Sequence, residues 1–136
     1  MRRLLSYALV LSLIAPAAAA AQGTLVLSQN KCSSGKEGTI RQMIDSLWMP
    51  IAQEIVNEGK LTGVGSAYHA WGDEWNVIIW YIANDTPGFL TGFGELARRI
   101  QQRHPTLISQ FQAMCTEHKD SIYSLGKSTT STAQRR

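Results

Sequence analysis

The chain reads as an α+β domain of ferredoxin-like topology, βαββαβ, with a four-stranded antiparallel sheet and helices on one face. Three observations predict this. Leu61–Ala83 runs LTGVGSAYHA, WGDEW, NVIIWYIA, two strand-like segments meeting at a tight Gly-Asp turn. Amphipathic segments flank it on both sides, Thr39–Glu58 before and Pro87–Arg103 after. Thr24–Lys31 and Ser121–Leu125 then supply the outer strands.

The first residues set the compartment. Met1-Arg2-Arg3 is a positive start, Leu4–Ile14 an apolar run and Ala17–Ala21 a string of small residues. That apolar run is far short of the ~20 residues that span a bilayer, and its small-residue end offers a cleavage site. Residues 1–21 are therefore read as a secretory signal peptide, cut after Ala21 or Ala20. The mature chain is expected to be exported, periplasmic or secreted, without a membrane association of its own. Arg2 and Arg3 leave with the leader, so the thirteen basic residues fall to eleven against ten acidic ones. A balanced charge argues against a nucleic-acid partner. Two cysteines, Cys32 and Cys115, survive processing. In an oxidising compartment such a pair is more often bridged than free.

Each element has a local cause. Thr24–Lys31 (TLVLSQNK) opens on β-branched and apolar residues, as a strand does. Cys32–Gly38 is a loop by composition. Ile40, Met43, Ile44, Leu47, Trp48, Ile51 and Ile55 recur at helical spacing and form one apolar face. Pro50 lies inside that pattern and should kink or split the helix near Met49. Gly59 stops it. Thr86 is expected as N-cap of the next helix, with Pro87 at its first position. Phe89, Phe93, Leu96, Ala97 and Ile100 are its buried stripe. Pro105 ends it, Thr106–Glu117 forms a shorter helix, and Ser121–Leu125 is the last strand. Residues 22–126 make one domain, and the polar tail 127–136 is expected to be disordered.

In the hairpin, a two-residue Gly72-Asp73 turn pairs Trp71 with Glu74 and Ala70 with Trp75. One face then carries Tyr68, Ala70, Trp75, Val77, Ile79 and Tyr81, suited to burial under helices. The other carries Gly65, Ala67, His69, Glu74, Asn76, Ile78 and Trp80. A three-residue turn would mix the two sets, so the first register is preferred.

Trp80 and Ile78 are too apolar to leave the second face wet, and a second sheet packed across a two-fold axis would cover them. With this the chain resembles the dimeric α/β-barrel superfamily, which includes antibiotic-biosynthesis-type monooxygenases, EthD-like and NIPSNAP-like proteins and haem-binding chlorite-dismutase relatives. The resemblance covers Thr24–Leu125 as topology. The segments HAWGDEWN (His69–Asn76) and HKDSIY (His118–Tyr123) resemble exported bacterial proteins. It implies a homodimer and, through His69 or His118, haem as an expectation of kinship alone. No branch's motif is matched residue by residue, so no catalytic residues carry over.

On the residues themselves, His69 is the candidate base. A histidine in a partly apolar cavity is suited to proton abstraction, with Asn76 across the hairpin as candidate orienter. Trp80, Ile78 and Tyr123 are the candidate ligand contacts. The competing reading makes His69 and Asn76 a buried polar pair that fixes the hairpin. Cys115-x-x-His118 is a single pair and not a metal site, so no metal or other cofactor is predicted. Trp48 is assigned to the core. The expected function is binding of a small hydrophobic molecule, aromatic or quinone-like, with cofactor-independent monooxygenase-like or proton-transfer chemistry if it is an enzyme. The alternative is a non-catalytic periplasmic binding or structural module, and a third class is haem binding.

Overall fold

Alternation decides the sheet. In β3 (Val77–Ala83) Val77, Ile79, Tyr81 and Ala83 are buried, while Ile78, Trp80 and Ile82 between them are only partly covered. A strand sends successive side chains to opposite faces, so this residue pattern defines one helix-covered face and one open face. The structure is a computed structural model that describes residues 23–69 and 74–126. The expected signal peptide 1–21, the Gly72-Asp73 turn and the tail 127–136 lie outside the described residues.

The sheet has four strands in the order β2-β3-β1-β4, with β1 at Thr24–Cys32, β2 at Gly63–Tyr68 and β4 at Cys115–Ser124. Every pairing is antiparallel. Tyr68 pairs with Val77 and Ala67 with Ile78, and the His69 N–H donates to the Asn76 carbonyl at 3.2 Å. This is the register that the coherence of the two hairpin faces selects.

Between β1 and β2 the chain forms α1 (Glu37–Met43), a π-helical turn (Ile44–Trp48) and α2 (Met49–Asn57). Pro50 was expected to kink or split the helix. It does divide there, with α2 beginning at Met49: the turn before Pro50 widens, and the Met49 N–H bonds to the Ile44 carbonyl. The wider turn accommodates a residue that has no N–H to give and whose ring crowds the preceding turn. Ile40, Ile44, Ile51 and Ile55 from this segment are buried against the sheet.

The second crossover is α3 (Thr86–Arg103) followed by α4 (Leu107–Met114). The N-cap of α3 is Asp85, not Thr86: its carboxylate accepts from the Gly88 N–H at 2.6 Å. An ionised cap is the stronger acceptor at the positive end of a helix. Thr86 is left to meet Thr24, hydroxyl to hydroxyl at 3.3 Å. Gly92 lets α3 sit close to the α2–β2 loop, since a Cβ there would lie 2.6 Å from the Lys60 carbonyl oxygen. Tyr81, Phe89 and Phe93 form an aromatic cluster with centroids 5.3 to 5.9 Å apart.

The last strand departs most from expectation. α4 stops at Met114, and β4 begins at Cys115, six residues earlier than the apolar pattern indicates. Its sequence CTEHKDSIYS is mostly exposed, as suits an edge strand that stays charged to discourage pairing with other chains. A polar edge strand carries little hydrophobic alternation, which is why its first half reads as helix or loop.

Cys32 and Cys115 are register partners and form a disulfide across the β1–β4 edge, 83 residues apart in sequence. Closing a loop of that length constrains the unfolded chain by about 4 kcal/mol.

Candidate functional site

The open face divides into an apolar end and a charged end. Leu25, Leu27, Ile78, Trp80 and Ile82 are all half-buried in the isolated chain. Beyond them Lys31 bridges Glu74 at 3.1 Å and Glu117 at 3.3 Å. Trp80 pairs with Gly65, and its indole lies over that glycine and reaches toward Gly63, where a Cβ would meet Cζ3 at 3.4 Å. Tyr123 stands on the same face, 48% exposed, opposite Leu25.

The residues singled out from sequence are not gathered into one cavity within a chain. His69 lies at the exposed end of β2. At ~3.3 Å per residue it is about 13 Å along the strand from Gly65, and the Trp80 ring extends the other way. Its electrostatic neighbour is Glu37 on α1, whose carboxyl is lowered by N–H donors, its own and that of Gly35, with Asn76 and the His69 charge adding. Asn76 turns its amide to β1 rather than to the imidazole. Its Oδ1 accepts from the Cys32 N–H at 2.8 Å, and its Nδ2 donates to the Cys32 carbonyl at 3.0 Å and to Glu37 at 3.4 Å. It acts as a clamp that continues the β1–β3 ladder by one side chain.

A different concavity opens on the helix-covered side, between α3 and α4 above and β1 and β4 below. One chamber of about 190 Å³ is lined by Ile79, Phe93, Ile108 and Phe111, with Trp48, Asn30, Gln112 and His118 among its polar members. A second, about 290 Å³, adjoins it along α3 and ends at the exposed Leu90 and Ile122. Ser28, Tyr81 and Phe93 line both, so the two are one cleft with a waist. A mostly apolar concavity with a few inward polar groups is the usual form of a small-molecule site.

The polar groups differ in state. Asn30 is 4% exposed and spends its Nδ2 on the Ser28 and Val77 carbonyls. Trp48 Nε1 is buried and approaches the Tyr81 hydroxyl without reaching full hydrogen-bond geometry. Burial pushes the Tyr81 hydroxyl far above its ordinary range; the Asp120 charge adds to this and the Trp48 indole opposes it. Tyr81 therefore stays neutral and keeps its proton. His118 and Asp120 stand two apart on β4, Nε2 to Oδ2 3.9 Å, at the cleft's outer wall. Among the described residues no group of three or more His, Cys, Asp or Glu is arranged to hold a metal ion.

No protein-family model matches the chain, and no curated protein matches it. Solved structures do. A NIPSNAP family protein from Agrobacterium tumefaciens superposes with a TM-score of 0.62 at 15% identity, over 82% of this chain and 99% of that one. A dimeric ferredoxin-like protein from an uncultured marine organism gives 0.62 at 9% identity, over 79% and 90%. The fold is ferredoxin-like. A Nitrosomonas europaea protein named for the antibiotic biosynthesis monooxygenases has the same frame, with a TM-score of 0.53 at 9% identity, over 76% and 90%.

On this ferredoxin-like frame, the cleft is what the sequence did not disclose. Trp48 sits on the apolar helix stripe and reads as core, yet its N–H edge borders the cleft. His118 and Asp120 are legible once β4 is begun at Cys115, because strand parity then sets them on the same face as Val26 and Ile122. No local pattern signals the cleft itself, which is the space that α3 and α4 leave over β1 and β4.

Proposed function

We propose that this is an exported small-molecule-binding protein of the dimeric α/β-barrel type, whose ligand is an apolar, aromatic or quinone-like compound held in the helix–sheet cleft. The cleft carries the reading: two adjoining chambers with aromatic walls share the waist at Tyr81 and Phe93 inside an otherwise packed core. The open face is assigned to the homodimer. Its half-buried Leu25, Leu27, Ile78, Trp80 and Ile82 make a patch of the kind that a second copy covers, and a dimeric protein shares the fold. Export is supported by the Met1–Ala21 leader pattern and by the Cys32–Cys115 bridge, since such bridges persist in oxidising compartments.

If turnover accompanies binding, cofactor-independent proton transfer or oxygenation fits the side chains present. His118 borders the cleft and is then better placed as a base than His69 at the end of β2.

Native mass spectrometry of the mature chain tests both assignments. The expected species is a dimer with a retained small molecule. Ala97→Phe, which fills the cleft from α3, should abolish retention and leave the dimer intact. Trp80→Glu should break the dimer. A monomer that binds nothing would refute the proposal.

A further inference from the structure

Trp48 Nε1 is a donor with no lone pair; it is buried, and it approaches the Tyr81 hydroxyl without reaching full hydrogen-bond geometry. Leaving such a group unpaired is costly, so its burial beside a cleft is a specification for what enters. Tyr81, a residue only 2% exposed, lines the same chamber, and its hydroxyl remains protonated. Two buried neutral donors thus stand together on the inner wall, while Ser28, Gln112 and His118 also line the space. No Lys or Arg is among the residues lining either chamber, and the Asp120 carboxylate lies on the second. A carboxylate, phosphate or phenolate ligand would find no permanent countercharge there, only the imidazole of His118 at the outer wall, and one like charge. The walls are aromatic, with Phe89 and Phe93 stacked at 5.5 Å and Phe111 opposite on α4.

We infer that the cleft recognises an uncharged, flat, carbonyl-bearing molecule, whose carbonyl oxygen accepts from the Trp48 indole N–H and the Tyr81 hydroxyl. The inference rests on the cleft being the ligand site, and it adds the ligand's polarity and charge. Trp48 and Tyr81 here are binding residues. No bond is made or broken.

The matched pair 9-fluorenone and fluorene tests it, since the two differ in a single carbonyl oxygen and are otherwise alike in shape. Isothermal titration of the full mature protein should show fluorenone binding about tenfold tighter than fluorene, the worth of one well-placed hydrogen bond. Trp48→Phe should weaken fluorenone several-fold and leave fluorene unchanged. Tyr81→Phe, which removes one oxygen and keeps the ring, should do the same to a smaller degree and serves if Trp48→Phe does not fold. Ala97→Phe should abolish both. Equal affinity for the two compounds in the unaltered protein would overturn the carbonyl inference while leaving the cleft as a site. So would a preference that survives both Trp48→Phe and Tyr81→Phe. Failure of both compounds to bind, or binding that Ala97→Phe leaves untouched, would overturn the cleft and the inference together.

Discussion

Trp80 lies over the backbone of Gly65, its register partner on β2, so closely that a Cβ at position 65 would fall among ring atoms Cζ2 and Cε2 and 2.8 Å from Nε1. The glycine is thus a seat for the indole, and the pair forms the centre of the open face. Gly65→Ala should displace the ring and cost about 1–3 kcal/mol, as overpacking does. Urea denaturation of the variant measures the loss, and a smaller dimer fraction in native mass spectra would show that the same contact shapes the interface.

Asn76 ties the end of β1 to the start of β3 through both polar atoms of its amide. Asn76→Ala should leave the Cys32 N–H and carbonyl without these partners and destabilise by about 1–3 kcal/mol. Asn76→Asp should do no better, because a carboxylate would face the Cys32 carbonyl and Glu37. Chemical denaturation separates this from a site role, in which ligand affinity would fall while stability held.

Reduction of Cys32–Cys115 should lower unfolding free energy by about 4 kcal/mol. The bridge also anchors the α4–β4 junction, where the Ser33 N–H donates to the Met114 carbonyl at 2.8 Å, and Cys115 borders the cleft. Thermal melts with and without dithiothreitol should differ for the native chain. They should coincide for the double Cys32→Ser, Cys115→Ser variant, at the lower temperature.

A cluster on α2 and α3 predicts the acid limb of stability. Glu58 is lowered from 4.5 to about 2, by Arg99 first and then Lys60. Glu95 is likewise lowered from 4.5 to about 2, by Arg98 and then Arg99. Glu54 is lowered by Arg103, with Arg99 adding. Each carboxyl binds its proton more weakly folded than unfolded. The stabilisation is therefore complete above pH 4.5 and is lost as pH falls toward about 2. Arg99→Gln should flatten the stability profile across that window. Because these side chains meet solvent, high salt should flatten it as well.

Much of the architecture is legible residue by residue. The hairpin register follows from keeping Tyr68, Val77, Ile79 and Tyr81 on one face, and the isoleucines from Ile40 to Ile55 announce the helix over it. Other features resist for physical reasons. β4 is a charged edge strand with little apolar alternation. Thr86 and Asp85 are both good caps, and their rank depends on which side chain reaches Gly88. His69 and Asn76 are adjacent across the hairpin, and that adjacency does not say where the amide turns.

By itself the sequence determined the order of the elements, the faces of the central strands and a pair of cysteines that an oxidising compartment would bridge. These depend on periodicity and turn chemistry within a few residues. The tertiary structure alone decided that Asn76 clamps Cys32, that Trp80 rests on Gly65, and that the Trp48 N–H is left facing a cleft beside Tyr81. Each of the three depends on segments far apart in the chain being brought within an ångström or two of a required position. Packing sets that distance, and no local pattern encodes it.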